Sequence, residues 1–231
     1  MSAQSALNAA KPGVRRTQAE RSNAMRRRLL AATVESLAEE GYAGSTLSSI
    51  VRRAGVSRGA QVHHYPNKQA LILDAAEDLM RRSYRALGAV LLSVAKEDDR
   101  LEALIKACWD SLFATPMYRA YTELLIASQR DPVLAEALRQ MLQRVRGVFE
   151  PAVEHYFEPA PGSGANPKAL FLQMSCLLAG LAVQAHVIQN PSLIHAQLTL
   201  WSKQAGSLMY ARKGVRTPPP RPAAWDRPAR G

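Results

Sequence analysis

Between Thr46 and Lys68 the chain reads TLSSIVRRAGVSRGAQVHHYPNK, which leaves room for only two helices of about two turns each. Gly55 stops the first and Pro66-Asn67 stops the second. Leu47, Ile50, Val51 and Ala54 recur at helical spacing and face inward on a helix from Leu47 to Arg53, which Ser45 or Thr46 can cap. Ser57 can cap a second helix reaching about His64. Gly55 permits the left-handed conformation that turns the chain sharply between the two, and Val56 anchors the turn in the core. This is helix-turn-helix spacing, in which the second helix points its N-terminal residues at base edges in the major groove while the first crosses the phosphate backbone. Ser57 and Arg58 then stand at the groove, small Gly59 and Ala60 allow close approach, and Gln61, His63 and His64 supply donors further along.

Helical periodicity continues on both sides. Thr17 to Glu40 carries an apolar stripe at Met25, Leu29, Ala32 and Leu37 that Gly41 terminates, and a long helix runs from Lys68 to about Ala95. Five more candidates follow: Arg100 to Ala114, Met117 to Gln129, Asp131 to Tyr156, Asn166 to Gln189 and Ser192 to Arg212. Pro116, Asp131-Pro132, the loop from Glu158 to Pro167 and Asn190-Pro191 punctuate their borders. Only 6% of residues are aromatic and β-branched runs are scarce, so the expected fold is all-α with about nine helices. The expected organisation is a disordered arm at 1–16, a three-helix DNA-binding domain at 17–67, a larger helical domain at 68–213, and a disordered Pro/Arg-rich tail at 214–231.

Charge is distributed to match. Met1 to Ala70 carries 11 Lys and Arg against 4 Asp and Glu, whereas Leu71 to Lys213 carries 15 against 14. A basic front end joined to a nearly neutral body is the asymmetry expected when one segment meets a polyanion and the other does something else. Cys108 and Cys176 lie in apolar segments with no paired framework, which suits small hydrophobes in a reduced, cytoplasmic setting. The N-terminus lacks the apolar region of a signal peptide, and the longest charge-free apolar run noted, Cys176 to Val183, is far short of the ~20 residues that span a bilayer, so no membrane partner is expected.

The adjacent histidines His63 and His64 raise two other possibilities. As metal ligands they are poorly placed, because neighbours on a helix diverge by about 100° and no Cys or acidic ligand lies nearby. As catalytic bases they have only Ser57 and Tyr65 at hand on a basic surface. With no nucleophile–base pair, phosphate loop or metal spacing elsewhere, neither an enzyme nor a bound cofactor or metal is expected. Capping and packing of the helix end, or contact with phosphate, remain as roles for the two rings.

The block from Thr17 to Leu71, and above all GYAGSTLSSIVRRAGVSRGAQVHHYPNKQAL, resembles the N-terminal domain of TetR-family transcriptional repressors. The resemblance rests on Gly41-Tyr42 after helix one, Ser45-Thr46 opening helix two, Ala54-Gly55-Val56-Ser57 at the turn, and His64-Tyr65-Pro66-Asn67-Lys68 leading into helix four. It implies that Thr46 and Lys68 hold phosphates, that Ser48 and Arg58 lie near bases or backbone, that His63 and His64 grip DNA, and that Tyr65 is core. Val51 stands where the family has a small residue, and Gln61-Val62 looks swapped relative to the family pattern. Either Val62 takes over the apolar packing on a slightly rotated helix, or Gln61 sits at a partly wet edge.

DNA sites for such modules are commonly two half-sites read by a symmetric dimer, so the body is expected to supply a homodimer interface and the operator to be palindromic. The last two helices are the candidates, with Leu177, Gly180, Leu181 and Gln184 on one and Trp201 and Leu208 on the other; by resemblance, two such pairs form a four-helix bundle. Central helices carry an apolar and aromatic set that reads either as plain core or as the wall of a cavity for a small, largely apolar effector. Its members are Trp109, Phe113, Tyr118, Tyr121 and Met141, followed by Val145, Phe149, Met174 and Leu178. Tyr118, Tyr121 or His186 would be the polar handles.

Overall fold

The computed structural model describes residues 17–219. The arm expected at 1–16 and the end of the expected tail, 220–231, lie outside the described residues. Among the described residues there are nine α-helices: α1 (Gln18–Gly44), α2 (Leu47–Ala54), α3 (Arg58–His64), α4 (Lys68–Ser93), α5 (Arg100–Cys108), α6 (Pro116–Ser128), α7 (Pro132–Tyr156), α8 (Pro167–Ile188) and α9 (Pro191–Gly206). A 3-10 turn (Val94–Lys96) follows α4, and α5 runs on into a π-helical turn (Trp109–Phe113).

Each border has a local cause. Thr17 and Glu20 form a reciprocal capping box at the start of α1, and Thr46 rather than Ser45 caps α2 through Ser49. Ser57, Asn67, Thr115, Asp131, Asn166 and Asn190 cap the helices that follow them. Prolines open α6, α7, α8 and α9, where the missing N–H has no helical partner to lose. Gly41 adopts φ 71°, ψ 175° and breaks the path of α1, although hydrogen bonding resumes as far as Gly44. Gly55 adopts φ 60°, ψ 40°, the left-handed turn between α2 and α3.

Two elements depart from the all-helical reading. The last helix stops at Gly206, not Arg212, because β2 (Met209–Ala211) pairs antiparallel with β1 (Phe157–Pro159) in a ribbon of three residues per strand. Residues 214–219, expected to be structureless, are also held to the body. The buried Arg100 donates through Nη2 to Val215 O at 2.6 Å and Ala95 O at 2.8 Å and stacks over the Tyr156 ring, while Arg216 Nη1 donates to Lys96 O at 2.9 Å. Helix α8 is also apolar over a longer stretch than the Cys176–Val183 run suggested: it has 22 residues, and its most apolar 18-residue window has a mean hydropathy of 1.6, long and apolar enough to cross a membrane. One side of it lies in the protein core through Leu170, Phe171, Met174 and Leu178.

Packing forms two cores. The first joins Leu29, Leu30, Val34 and Leu37 of α1 with Ile50 and Ala54 of α2, Leu71 to Met80 of α4, Ala120 and Leu124 of α6, and Leu134, Leu138 and Met141 of α7. The border expected at 67/68 is therefore the start of a helix but not a border in the packing, because α4, α6 and α7 complete the core that three small helices cannot fill alone. The second core lies between the far half of α4 and α5, α7, α8 and α9, around Phe157 and Phe171.

A polar knot ties α1, α3 and α4 together. Arg26 donates to both oxygens of Asp74, at 2.7 and 2.9 Å, and the Tyr65 hydroxyl at the end of α3 donates to the same carboxylate. Burial would push the Asp74 carboxyl up, but the hydrogen bonds from Arg26 and Tyr65 outweigh it and hold the group below the ordinary aspartate value of 3.8. The stability this contributes is complete above 3.8 and is lost as pH falls through the lower folded value. Asp74→Asn is expected to cost about 1–2 kcal/mol at neutral pH, less than for a fully buried pair because the Arg26 side chain is 44% exposed. Urea midpoints measured against pH should fall less steeply below pH 4 in the variant than in the parent. In the same assay Gly55→Ala is expected to cost about 1–2 kcal/mol, the strain of an L-residue in the left-handed region.

Candidate nucleic-acid interface

The corner between α2 and α3 is braced from α1, where Arg28 Nη2 donates to Gly55 O at 2.7 Å. With the turn so fixed, α3 presents its first residues outward. Ser57 Oγ accepts from the Ala60 N–H at 3.2 Å, and Ser57, Arg58 and Gly59 are exposed, with open space where a Gly59 Cβ would stand. Ala60 is half-buried. His63 is exposed and His64 half-buried, their rings edge to face at 5.4 Å.

Gln61 corrects both readings offered for it. It is only 2% exposed and its Nε2 donates to Tyr65 O, so the amide neither faces DNA nor lies at a wet edge; Val62 is 57% exposed and takes over no packing. The buried amide is tolerated because it serves the carbonyl at the C-cap of α3, where a helix leaves acceptors without partners.

On the flank of α3, Thr46 and Ser48 are exposed at the start of α2. Thr46 Oγ1 accepts from the Ser49 N–H at 3.1 Å. Lys68 opens α4, half-buried, with Nζ donating to Tyr42 O at 2.8 Å and lying 4.3 Å from the centroid of the Tyr42 ring. Burial pushes its ammonium pKa down, yet no carboxylate pairs with it among the described residues. Arg53, by contrast, is neutralised by Glu39 at 2.7 Å and Glu40 at 2.6 Å, whereas Arg52 stays exposed without such a partner among the described residues. Arg28 and Tyr42 thus support the candidate interface, although the sequence pattern did not mark Arg28 at all and marked Tyr42 only as part of the turn after helix one. Their partners are distant positions, which no local spacing signals.

In the body, a cavity of about 610 Å³ lies between α4, α5, the π-helical turn, α6, α7 and α8. Phe113, Tyr118, Tyr121, Val145, Phe149 and Met174 line it as expected. Trp109, Met141 and Leu178 do not: they are buried in the cores. His186 is exposed on α8 and is no handle for this cavity. Tyr84 and Cys108 join the wall, with burial pushing the Cys108 thiol up to about 12, and Arg146, Glu150 and Lys168 are the charged side chains lining it. Burial also pushes the Tyr118 and Tyr121 hydroxyls up.

Of the expected interface residues on α8 and α9, Gln184 and Leu208 are exposed, while Leu177, Gly180, Leu181 and Trp201 are half-buried. Leu181 and Trp201 pack against the second core. Cys176 is exposed on the same helix, contrary to its expected role as a buried hydrophobe, because it falls on the face opposite Phe171, Met174 and Leu178.

Residues 29–75, from the middle of α1 into α4, match the family of bacterial regulatory proteins called the tetR family. The HTH-type transcriptional regulator CymR of Pseudomonas putida is 36% identical over 136 residues, which is 59% of this chain and 66% of that protein, so the match spans just under two thirds of the relative's length. Among solved structures, a transcriptional regulator from Rhodococcus sp. Rha1 superposes with a TM-score of 0.63 at 22% identity, covering 78% of this chain and 95% of that one. A regulator from Saccharomonospora viridis in complex with choline gives a TM-score of 0.63 at 16% identity, covering 80% and 97%. The relatives are regulators of transcription, a non-enzymatic class, and the two structures share the fold. With its braced two-helix corner set on a larger helical body, the chain carries over residues 29–75 the regulatory domain of the bacterial tetR family, and its fold beyond them is that of transcriptional regulators of known structure.

Proposed function

We propose that the chain is a sequence-specific DNA-binding regulator, a homodimeric repressor acting in the cytoplasm and released from a palindromic operator by a small, largely apolar ligand. The observation that carries this reading is the exposed start of α3, where Ser57, Arg58 and Gly59 face outward on a corner braced by Arg28. Arg58 has the reach and donors to bond a guanine edge, while Thr46, Ser48, His63, His64 and Lys68 surround it as phosphate contacts. Gln61 is not among them.

Homodimerisation is supported by α8 and α9. From Ala169 to Ser202 the chain has no Lys, Arg, Asp or Glu, yet only 17% of the most apolar window of α8 is buried. Val183 and Val187 on α8 and Leu193 and Leu200 on α9 are exposed, and Gly180 leaves open space where a Cβ would be. An uncharged, unpartnered helix pair of this kind suits a second copy related by a twofold axis. For the ligand, the apolar lining and the size of the cavity suit a small organic molecule, and the Saccharomonospora viridis neighbour holds choline. Release requires that the ligand bind more tightly to a conformation whose two α3 helices are wrongly spaced for the operator.

Two experiments test the reading. With a duplex selected from a random library and with bulk random DNA, Arg58→Ala is expected to lower affinity for the selected duplex roughly 10- to 100-fold and for random DNA far less, whereas Lys68→Ala weakens both about equally. Equal losses for the two variants would contradict these roles. Val183→Glu is expected to convert a dimer into a monomer in sedimentation equilibrium, and a parent chain that is already monomeric at micromolar concentration would overturn the homodimer.

A further inference from the structure

Helix α6 touches both the cavity and the end of α1 that leads into the DNA-binding corner, through opposite faces. Tyr118, Tyr121 and Leu125 line the cavity. Glu123 points the other way, where its Oε2 accepts the Tyr42 N–H at 2.9 Å across 81 positions of sequence. The approach depends on Gly41, whose φ of 71° breaks the path of α1, and a Cβ at that position would lie 3.0 Å from the same carboxylate oxygen. A glycine therefore stands where the carboxylate must come close. On its other side Tyr42 holds Lys68, by its carbonyl at 2.8 Å and its ring face at 4.3 Å. Only one of three ammonium donors is taken by that carbonyl, so the rest of the cation is free to meet a phosphate oxygen.

We propose that Glu123 is the positioning residue of the Lys68 phosphate contact: by accepting the Tyr42 N–H it fixes the carbonyl and ring that aim the Lys68 ammonium. The inference rests on the reading of Lys68 as a phosphate contact. It adds a covalently short route from the cavity wall to the DNA surface, because Glu123 lies within two residues of both Tyr121 and Leu125 on one helix. A ligand that shifts α6 moves the carboxylate with it, and the Lys68 ammonium loses its aim.

The test is a salt titration of binding to a random-sequence duplex, read by fluorescence anisotropy, for the full chain, Lys68→Ala, Glu123→Ala, Glu123→Gln and the double Lys68→Ala/Glu123→Ala. Loss of one phosphate contact lowers the slope of log affinity against log salt by about 0.9. The expected result is that Lys68→Ala and Glu123→Ala each lower it by that amount, that the double variant lowers it no further, and that Glu123→Gln, whose amide oxygen still accepts the Tyr42 N–H, keeps the parental slope. A residue that merely stabilised the fold would lower the melting temperature and leave the slope unchanged. Should Glu123→Ala not fold, Glu123→Asp retains the charge one methylene short of Tyr42 and carries the same expectation. A parental slope in Glu123→Ala or Glu123→Asp beside a lowered one in Lys68→Ala overturns the role of Glu123, as do losses that add in the double variant. A parental slope in Lys68→Ala removes the phosphate contact itself, and the inference with it.

Discussion

The burial of α1 between α4 and α6 is the contact on which the rest depends. Helices of eight and seven residues, such as α2 and α3, are marginal in water, because the cost of nucleating a helix is repaid only over longer runs or by tertiary packing. Ile50 and Ala54 supply that packing only because Leu29, Leu37 and Leu71 are already in place, and these in turn lean on Ala120 and Leu124 of α6. The reading head is thus an outgrowth of the body, not a separate bead on a string.

This shared core gives α4 and α6 a double duty. Helix α4 carries Leu71, Ala75 and Leu79 beneath the corner and, further along, Met80, Tyr84 and Leu87 at the cavity. Tyr84 donates to Met141 O at 2.9 Å, pinning α4 to α7 beside the same space. Helices α4 and α6 thus join the cavity wall to the core beneath the corner as continuous, close-packed rods with no loop between the two.

The sequence made the helix borders and the corner legible, because both are local chemistry. Asn166-Pro167 and Asn190-Pro191 spell the starts of α8 and α9 in two residues each, and Gly55 needs no partner to declare a left-handed turn. What stayed hidden was long-range pairing. Arg26 meets Asp74 across 48 positions and Tyr42 meets Glu123 across 81, so each looks like an ordinary surface charge or loop tyrosine when read along the chain. Gln61 misled for a related reason: a polar residue on the recognition helix reads as a DNA contact until the carbonyl it serves, four residues on, is known. The Phe157–Pro159 and Met209–Ala211 ribbon was too short to show an alternating pattern, and the apolar wall of the cavity could not be separated from the core because both use the same side chains.

Arg26 and Arg100 fasten their segments in chemically different ways. Arg26 grips a carboxylate, and acid can dissolve that grip. Arg100 spends its donors on the carbonyls of Val94, Ala95 and Val215, groups that never titrate, while a guanidinium sheds its proton only in strong alkali. The seam that holds residue 215 against the body is therefore indifferent to acid, and it stays shut under conditions that loosen the knot behind the recognition helix.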